Sequence, residues 1–302
     1  NIPLVQMLHD YYLGCPKCTM TNGGNNCAVQ CRMCRVYCTP RRRLSHLPAA
    51  VISLSRRMLT RLEATGLFER VGHKYIIHGV NNAQAAVEPR QDKAPGSPIV
   101  VGYLGRMENT KGIEVLLDAV KLLPPSQVTV LLGGSGDTAY VDDLQRTYAA
   151  DNIRFIGFVK PTDFFARIDV LVVPSVWEEP LGRVIYEGYA HGVPSFVSSV
   201  GGMPEIVNDG RTGFVFTSRD SKHLAALLQR QIDQGWAGGR FFAECVERGR
   251  DFSTDRVFGD YLKVWETAIR EQSGSSLNTG APGLSAIATT ESAPPVSRAR
   301  SA

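Results

Sequence analysis

Short apolar runs alternate with helical patterns between residues 99 and 216, and this alternation constrains the fold more than any other feature. The runs are IVVGYL, QVTVLL, IRF, DVLVV, SFVSS and GFVF. After the first run, apolar residues recur at offsets 0, 3, 4 and 7 from Ile113, which predicts a helix with one buried face. Strands that are apolar on both faces and alternate with helices are typical of a parallel sheet covered on both sides. We therefore expect an α/β domain.

Residues suited to phosphate binding follow two of these predicted strands. In parallel sheets of this kind, ligands bind beyond the carboxyl ends of the strands. Gly105 and Arg106 follow the first strand and Lys111 comes five residues later, so a guanidinium and an ammonium lie near a helix N-terminus, as a diphosphate requires. Gly133 and Gly134 open a glycine-rich turn after the second strand, where a ligand approaches the backbone closely. Each feature alone is weak evidence, since glycine-rich turns are usually only turns.

The stretch from residue 172 to residue 213 is the most informative part of the chain. A strand predicted over 169–173 is followed by a loop with two glutamates and by a helix predicted over 181–191. The amides of Leu181 and Gly182 open this helix and are free to donate to phosphate oxygens. Glu179 and Glu187 have seven residues between them, which places them about 80° apart around a helix axis. The two glutamates either border one cleft or are solvated surface carboxylates. The neighbouring residues suited to phosphate binding favour the cleft.

The cysteines are concentrated in one short segment. Six of the seven are Cys15, Cys18, Cys27, Cys31, Cys34 and Cys38. Two of their Cys-x2-Cys pairs have 12 residues between them, a spacing that predicts a structural tetrahedral zinc site. A disulfide cluster in an oxidising compartment and plain reduced thiols are the alternatives.

Length and charge set further bounds. The 302 residues predict about two domains, and no apolar run approaches the 18 residues of a membrane-spanning helix. The chain opens at Asn1 without a methionine and continues directly into the apolar run IPLVQMLHDYY, so we expect a truncated N-terminal domain. Residues 1–90 carry 12 Lys and Arg against 4 Asp and Glu. This basic part suits an anionic partner or a membrane surface, or is simply a solvated basic face.

The predicted organisation has five parts. They are a partial N-terminal domain at 1–90 with a Cys-rich loop at 15–38, a linker at 91–98, a second domain at 99–253, a closing helix at 254–272 and a disordered tail at 273–302. A prolyl stretch over 83–98 marks the linker. The tail is rich in Ser, Gly, Pro, Ala and Thr. The closing helix carries Phe258, Tyr261, Leu262, Trp265 and Ile269, and we expect its aromatic side chains to serve packing and not to contact a ligand.

Four stretches together resemble a known enzyme family: GYLGRMENTKGIEVLLDAV, LLGGSGD, IRFIGFV and PSVWEEPLGRVIYEGYAHGVPSFVSSVGGMPEIVNDGRTGFVF. They look like the C-terminal half of retaining GT-B glycosyltransferases of the glycosyl-transferases-group-1 family. Glu179 through Glu187 matches that family's E-x7-E motif. The resemblance covers residues 98–271, and the segments VQMLHDYYLGCP, SLSRRML and YIIHGV resemble the second half of the family's N-terminal domain. The resemblance implies an α/β protein of GT-B type with two Rossmann-like domains. The N-terminal one is incomplete and holds the acceptor, and the C-terminal one is complete and binds the nucleotide sugar.

The resemblance also implies roles for individual residues. Arg106 and Lys111 neutralise the donor diphosphate, Glu187 holds ribose hydroxyls, and Glu179 lies near the donor sugar. The donor pocket is completed by Gly105, Gly133, Gly134 and the amides of Leu181 and Gly182. His9 matches a histidine that approaches the sugar from the N-terminal domain. The sequence contains no Asp-x-Asp, and the resemblance implies a reaction that needs no metal or other cofactor.

The implied activity is transfer of a sugar from a nucleotide-diphosphate donor to a hydroxyl acceptor, either a glycan or lipid-linked, with retention of configuration. The implied location is the cytoplasm, with a possible peripheral contact at the inner face of the membrane and a role in cell-envelope polysaccharide. One alternative is another GT-B enzyme, such as a sugar-nucleotide epimerase, or a phosphorylase that needs a lysine-bound pyridoxal phosphate. A second alternative is a zinc-stabilised nucleic-acid-binding module at residues 15–43; we expect no nucleic-acid partner, because this segment has no helix long enough to read a groove.

Overall fold

Two parallel sheets organise the computed structural model, which describes residues 2–81 and 88–272. The strands are β1 Val5–Leu8, β2 Thr21–Asn22, β3 Asn25–Asn26, β4 Ala50–Ser53, β5 His73–Ile76, β6 Ile99–Leu104, β7 Val128–Gly133, β8 Ile153–Gly157, β9 Val170–Val173, β10 Ser195–Ser198 and β11 Gly213–Phe216. The N-terminal sheet has the order β1-β4-β5 and the second sheet the order β11-β10-β9-β6-β7-β8. The prediction of an α/β protein with a parallel sheet is confirmed.

Helices connect most of these strands and cover the sheets. They are α1 Arg32–Tyr37, α2 Thr39–Leu44, α3 Arg56–Glu63, α4 Ile113–Val120, α5 Thr138–Thr147, α6 Pro161–Phe165, α7 Arg183–Ala190, α8 Ser221–Gln234, α9 Gly238–Gly249 and α10 Thr254–Gln272. None of the helices within 2–81 and 88–272 is long and apolar enough to cross a membrane.

Strand β6 lies between β9 and β7 and determines which loops meet. It pairs with β9 at Val101↔Val170 and with β7 along its full length. Because all three strands are parallel, the residues that follow them emerge side by side at one edge of the sheet. The three sequence stretches with residues suited to phosphate binding follow β6, β7 and β9.

The second sheet is buried on both faces, as its apolar strands predict. Along β6, Val101 and Tyr103 belong to the core under α4 and α8, while Val100 and Leu104 pack against the core under α6 and α7. This alternation follows from the two-residue period of a strand. The apolar face predicted from Ile113 is buried in α4, which confirms that prediction, and α8 likewise buries one apolar face.

Helix α7 begins later than the sequence predicts. It starts at Arg183, because Gly182 is extended and occupies the N-cap position. The helix ends at Ala190, and Gly192 follows with a φ of 64°, a left-handed conformation that glycine adopts without strain. Pro194 then prevents any continuation of the helix.

Three helices were not predicted from the sequence. Helices α1 and α2 have six residues each and lie in and after the Cys-rich segment. Helix α9 begins with two glycines, a composition that disfavours helix, and it forms because Phe241 and Cys245 are buried in the core. Tertiary packing therefore overrides local propensity here.

Helix α10 packs against the N-terminal sheet. Its buried residues are Val257, Val264 and Ala268. The two valines share a core cluster with residues of the N-terminal sheet region, and Tyr261 packs against this cluster. Phe258 and Trp265 are exposed and contact each other edge to face. One of the three aromatic side chains expected to serve packing therefore lies against the core.

The segment that joins the two sheets lies partly outside the described residues. Positions 83–87 of the predicted prolyl linker lie outside the described residues, and so does the whole predicted tail at 273–302. Residues 88–98 contain no helix or strand, and Arg90 donates to the carbonyl oxygens of Ile168 and Phe165, each at 2.5 Å. This arginine fixes the described part of the connection to the second sheet.

Two histidines make folding stability depend on pH. Burial lowers the pKa of His78, whose Nδ1 lies 2.7 Å from Leu54 O, and burial likewise lowers the pKa of His191, which stacks on Phe165. The unfolded chain therefore binds protons at a higher pH than the folded chain does. We expect the free energy of unfolding to be greatest above the ordinary histidine pKa of about 6.5 and to fall as the pH drops below it.

Urea denaturation at several pH values between about 7 and 5.5 measures this slope. The double variant His78→Asn, His191→Cys is expected to flatten it, whereas the exposed His46→Asn variant serves as the control. An unchanged slope in the double variant contradicts the prediction.

Candidate active site

A buried ion pair links the loop after β6 to the loop after β9. Lys111 Nζ lies 2.9 Å from Glu179 Oε1, and the side chains of Lys111 and Glu179 are only 14% and 16% exposed. The other carboxylate oxygen accepts a hydrogen bond from Ser175 Oγ at 2.7 Å. Burying one of these charges alone is costly, so each requires the other. Two residues predicted separately, one for the diphosphate and one for the sugar, thus form a single unit.

The main chain around this pair is also fixed. The amide of Val176 donates to Thr110 O at 3.0 Å, which joins the two loops directly. Gly112 has a φ of 64° and packs against Pro174, where a Cβ atom would collide with the carbonyl oxygen of Pro174. Only glycine suits both the conformation and the space. The position of Lys111 relative to Glu179 is therefore set by backbone as well as by charge.

The predicted glycines lie in contact at the ends of β6 and β7. The amide of Gly105 donates to Gly133 O at 3.1 Å, and Gly134 follows with a φ of 126°. A Cβ atom at position 134 would collide with Gly105 O. The structure thus brings these three glycines together and leaves main chain, without side chains, at this edge of the sheet.

Arg106 follows Gly105 and points its side chain into solvent. Its carbonyl oxygen accepts from the buried hydroxyl of Tyr103 at 2.6 Å, which holds the main chain. Its side chain is 77% exposed, and its guanidinium lies 3.5 Å from the carboxylate of Glu108. Burial raises the pKa of Tyr103, so this hydroxyl stays neutral and keeps donating. Arg106 therefore combines a fixed backbone with a guanidinium that remains accessible.

Helix α7 presents its N-terminus beside the ion pair. Leu181 is buried, and Gly182 is the N-cap, so their amides precede the first turn of the helix. Glu187 lies within the helix, and its Oε1 is 3.4 Å from Arg183 Nη2. This is a long, partly exposed pair between residues four apart, an arrangement that contributes little to stability. The carboxylate of Glu187 is accordingly free to exchange Arg183 for another partner.

His9 lies at the edge of the N-terminal sheet that faces this site. It is exposed and directly follows β1, whose last residue, Leu8, pairs with Ser53. Two residues beyond Ser53, Ser55 Oγ donates to Pro180 O at 2.7 Å, in the loop that precedes α7. The strand ends of the two sheets therefore face each other across the site.

Further contacts, between α3 and the loops of the second domain, were not predicted from the sequence. Glu205 accepts from the backbone amides of Arg56 and Arg57 at 2.8 and 2.7 Å, at the N-terminus of α3. Glu178 is buried, with Arg57 Nη2 at 2.5 Å and Arg61 Nε at 2.8 Å from its two carboxylate oxygens. The sequence offered one signal, because two consecutive glutamates in a loop after a buried strand are unusual. Their separate partners, arginines for Glu178 and Lys111 for Glu179, were not predictable from it.

The zinc hypothesis for the Cys-rich segment is not supported. Within residues 2–81 and 88–272, no group of three or more His, Cys, Asp or Glu side chains is arranged to hold a metal ion. All seven cysteines are free thiols; Cys15 and Cys38 are buried, whereas Cys31 is exposed. Cys-x2-Cys spacing alone therefore does not produce the predicted tetrahedral site in this part of the chain.

Comparison with known proteins finds similarity that is concentrated in the second domain. Residues 98–234 match the Glycosyl transferases group 1 family. The chain is 34% identical to spore coat protein SA of Bacillus subtilis over 145 residues, which are 44% of this chain and 38% of that protein. It is 31% identical to D-inositol 3-phosphate glycosyltransferase of Streptomyces scabiei over 193 residues, 59% of this chain and 43% of that protein. The chain thus spans less than half the length of either relative.

A solved structure extends the similarity over most of the chain. The Anabaena protein Alr3699/HepE, in complex with UDP and glucose, superposes with a TM-score of 0.69 at 22% identity. The match covers 88% of this chain and 72% of the Anabaena chain. At this identity the likeness establishes the fold, and it confirms the predicted GT-B class with its Rossmann-like domains.

Proposed function

We propose that the protein is a retaining glycosyltransferase that moves a hexose or related sugar from a nucleotide-diphosphate donor to a hydroxyl acceptor. The observation that carries the proposal is the Lys111–Glu179 pair, buried between the loops that follow β6 and β9 and next to the N-terminus of α7. The glycosyltransferase family match at residues 98–234 and the UDP and glucose of the Anabaena structure support it.

The cations and amides suit the departing diphosphate. Cleavage of the bond at the anomeric carbon leaves negative charge on the diphosphate and positive charge on the sugar. Arg106, Lys111 and the amides at the start of α7 are held in place before the reaction, so they stabilise that negative charge without reorganising. No metal is needed in this scheme, because these groups together supply the positive charge.

The two motif carboxylates have different tasks in this proposal. Glu187, whose contact with Arg183 is long, exchanges that contact for the ribose hydroxyls of the nucleotide. Glu179, held by Ser175 and Lys111, lies towards the sugar and stabilises the positive charge that develops at its anomeric carbon. His9 approaches the same sugar from the N-terminal sheet.

Nucleotide binding tests the donor assignment. We expect calorimetry with UDP, GDP and ADP sugars to detect binding of one of them, because the site supplies cations for a diphosphate. Arg106→Ala is expected to raise the dissociation constant of that donor about tenfold or more, which is the effect of losing one charged hydrogen bond. Arg146→Ala, which removes an exposed arginine of α5 that pairs with Asp143, is the matched control. The assignment fails if none of the donors binds or if Arg106→Ala binds like the control.

The division between the carboxylates gives a second prediction. Glu187→Ala is expected to raise the dissociation constant of the donor about tenfold or more, since it removes a hydrogen bond between a carboxylate and the ribose. Glu179→Ala is expected to lower kcat by about a hundredfold while changing donor affinity less, because its charge acts in the transition state. Glu247→Ala on α9, which is exposed, is the control. Equal effects of the two variants on affinity and turnover contradict the division.

For the acceptor, we propose a glycan or a lipid-linked sugar of the cell envelope, used on the cytoplasmic side of the membrane. Residues 11–62 contain nine Lys and Arg and no Asp or Glu. Within this stretch, α1 exposes Met33, Val36 and Tyr37 beside its two arginines, Arg32 and Arg35. Apolar side chains flanked by arginines suit the surface of an anionic bilayer.

Vesicle sedimentation tests the membrane contact. We expect the protein to sediment with vesicles of phosphatidylglycerol at low salt and to be released at high salt or when the vesicles contain only phosphatidylcholine. Met33→Ser with Val36→Ser is expected to reduce binding severalfold, whereas Phe258→Ser on the exposed face of α10 is expected to leave it unchanged. Equal sedimentation with both lipids excludes the charge-based contact.

A further inference from the structure

The Cys-rich segment, residues 15–38, contacts the candidate active site through the β2–β3 hairpin. The hairpin turns at Gly23 and Gly24, whose φ angles of 55° and 77° suit a tight two-residue turn. Arg219, which follows β11, donates to Gly24 O at 2.6 Å and holds the turn against the second domain. Although the segment belongs to the N-terminal part of the chain, its hairpin is fixed on the domain that carries the proposed donor site.

Asn26 at the end of this hairpin binds the main chain of the loop that carries Glu179. Its amide nitrogen donates to Val176 O at 2.9 Å, and its amide oxygen accepts from the backbone N–H of Glu178 at 3.1 Å. One side chain thus satisfies a donor and an acceptor of the same loop. A carboxamide is suited to this task, because it carries both functions on one planar group.

Arg61 of α3 contacts both the chain that follows the hairpin and the loop that follows β9. Its guanidinium donates to the carbonyl oxygens of Cys27 and Ala28, the two residues after Asn26, and its Nε lies near the buried carboxylate of Glu178. The hairpin, α3 and the loop after β9 are therefore joined at consecutive positions. Residue 179 follows directly and carries the carboxylate that pairs with Lys111.

We infer that Asn26 is a positioning residue for the proposed glycosyl transfer. It holds residues 176–178 in place from outside the second domain, and through them it keeps the Glu179 carboxylate at Lys111 and Ser175. This inference rests on the proposed function. Its consequence is that the Cys-rich segment acts on the chemical step through Glu179, while Arg106 and Glu187, two of the groups proposed for the nucleotide, lie outside its contacts.

The test compares Asn26→Ala with Asn25→Ala in the protein as its gene encodes it. Asn25 is the adjacent hairpin residue and is exposed, so it controls for any effect on the hairpin itself. For Asn26→Ala we expect kcat to fall about 10- to 100-fold, the loss that a displacement of a catalytic group by about 1 Å produces. The KM for the donor and the dissociation constant of the free nucleotide are expected to stay within about threefold, and Asn25→Ala is expected to behave as wild type.

Two further variants separate positioning from folding. Asn26→Asp keeps the acceptor for Glu178 N–H but places a carboxylate opposite Val176 O, so its kcat is expected to be no higher than that of Asn26→Ala. Arg219→Ala releases the turn of the hairpin without touching the loop and is expected to lower kcat in the same direction, which provides a result even if Asn26→Ala does not fold.

The inference is overturned if kcat stays at the wild-type value in Asn26→Ala and Arg219→Ala, or if Asn25→Ala loses as much. It is also overturned if kcat and nucleotide affinity fall together with the melting temperature, because that pattern indicates general unfolding. Wild-type protein that turns over no nucleotide sugar contradicts the proposed function itself. Active wild-type protein with fully active Asn26→Ala contradicts only the role of Asn26.

Discussion

The parallel pairing of β6 with both β9 and β7 is the constraint on which the rest of the site depends. It places the ends of three strands side by side, although the residues after them are up to about seventy positions apart in the sequence. Lys111 and Glu179 meet only because β6 and β9 are neighbours. The same pairing lets the glycine turn after β7 contact the backbone of Gly105. A different strand order would disperse these groups while leaving every local element intact.

Two consecutive carboxylates occupy the loop after β9, and each is neutralised by a different part of the chain. Glu178 has Arg57 and Arg61 of α3 as partners, whereas Glu179 has Lys111 of the second domain. Buried ion pairs of this kind add little net stability, because desolvation offsets most of the attraction. Removing one partner, however, leaves an unpaired buried charge. The pairs therefore specify how the two sheets and the loop fit together more than they hold the protein folded.

Local patterns predicted the elements that are both periodic and buried. The face of α4 and the strands of the second sheet were correct, because their apolar residues follow the period of the structure they form. Helix α9 was missed, since its glycines conceal a helix that only packing stabilises. In α10, Tyr261 packs against the N-terminal sheet region, whereas Phe258 and Trp265 are exposed, because Val257 and Val264 fill the core beneath this helix. The bonds between Asn26 and the loop at 176–178 join residues about 150 positions apart, and no local pattern contains them.

The contact between the glycine turn and the loop after β6 limits how this protein can change during evolution. Positions 134 and 136 have no room for a Cβ atom, since the carbonyl oxygens of Gly105 and Met107 occupy that space, and Met107 N–H donates to Ser135 O at 2.8 Å. The two loops therefore shift only as one body. Substitution at this edge is restricted to the outward side chains of Arg106 and Ser135. In the proposed function, these two exposed side chains are the places at this edge where donor preference can change.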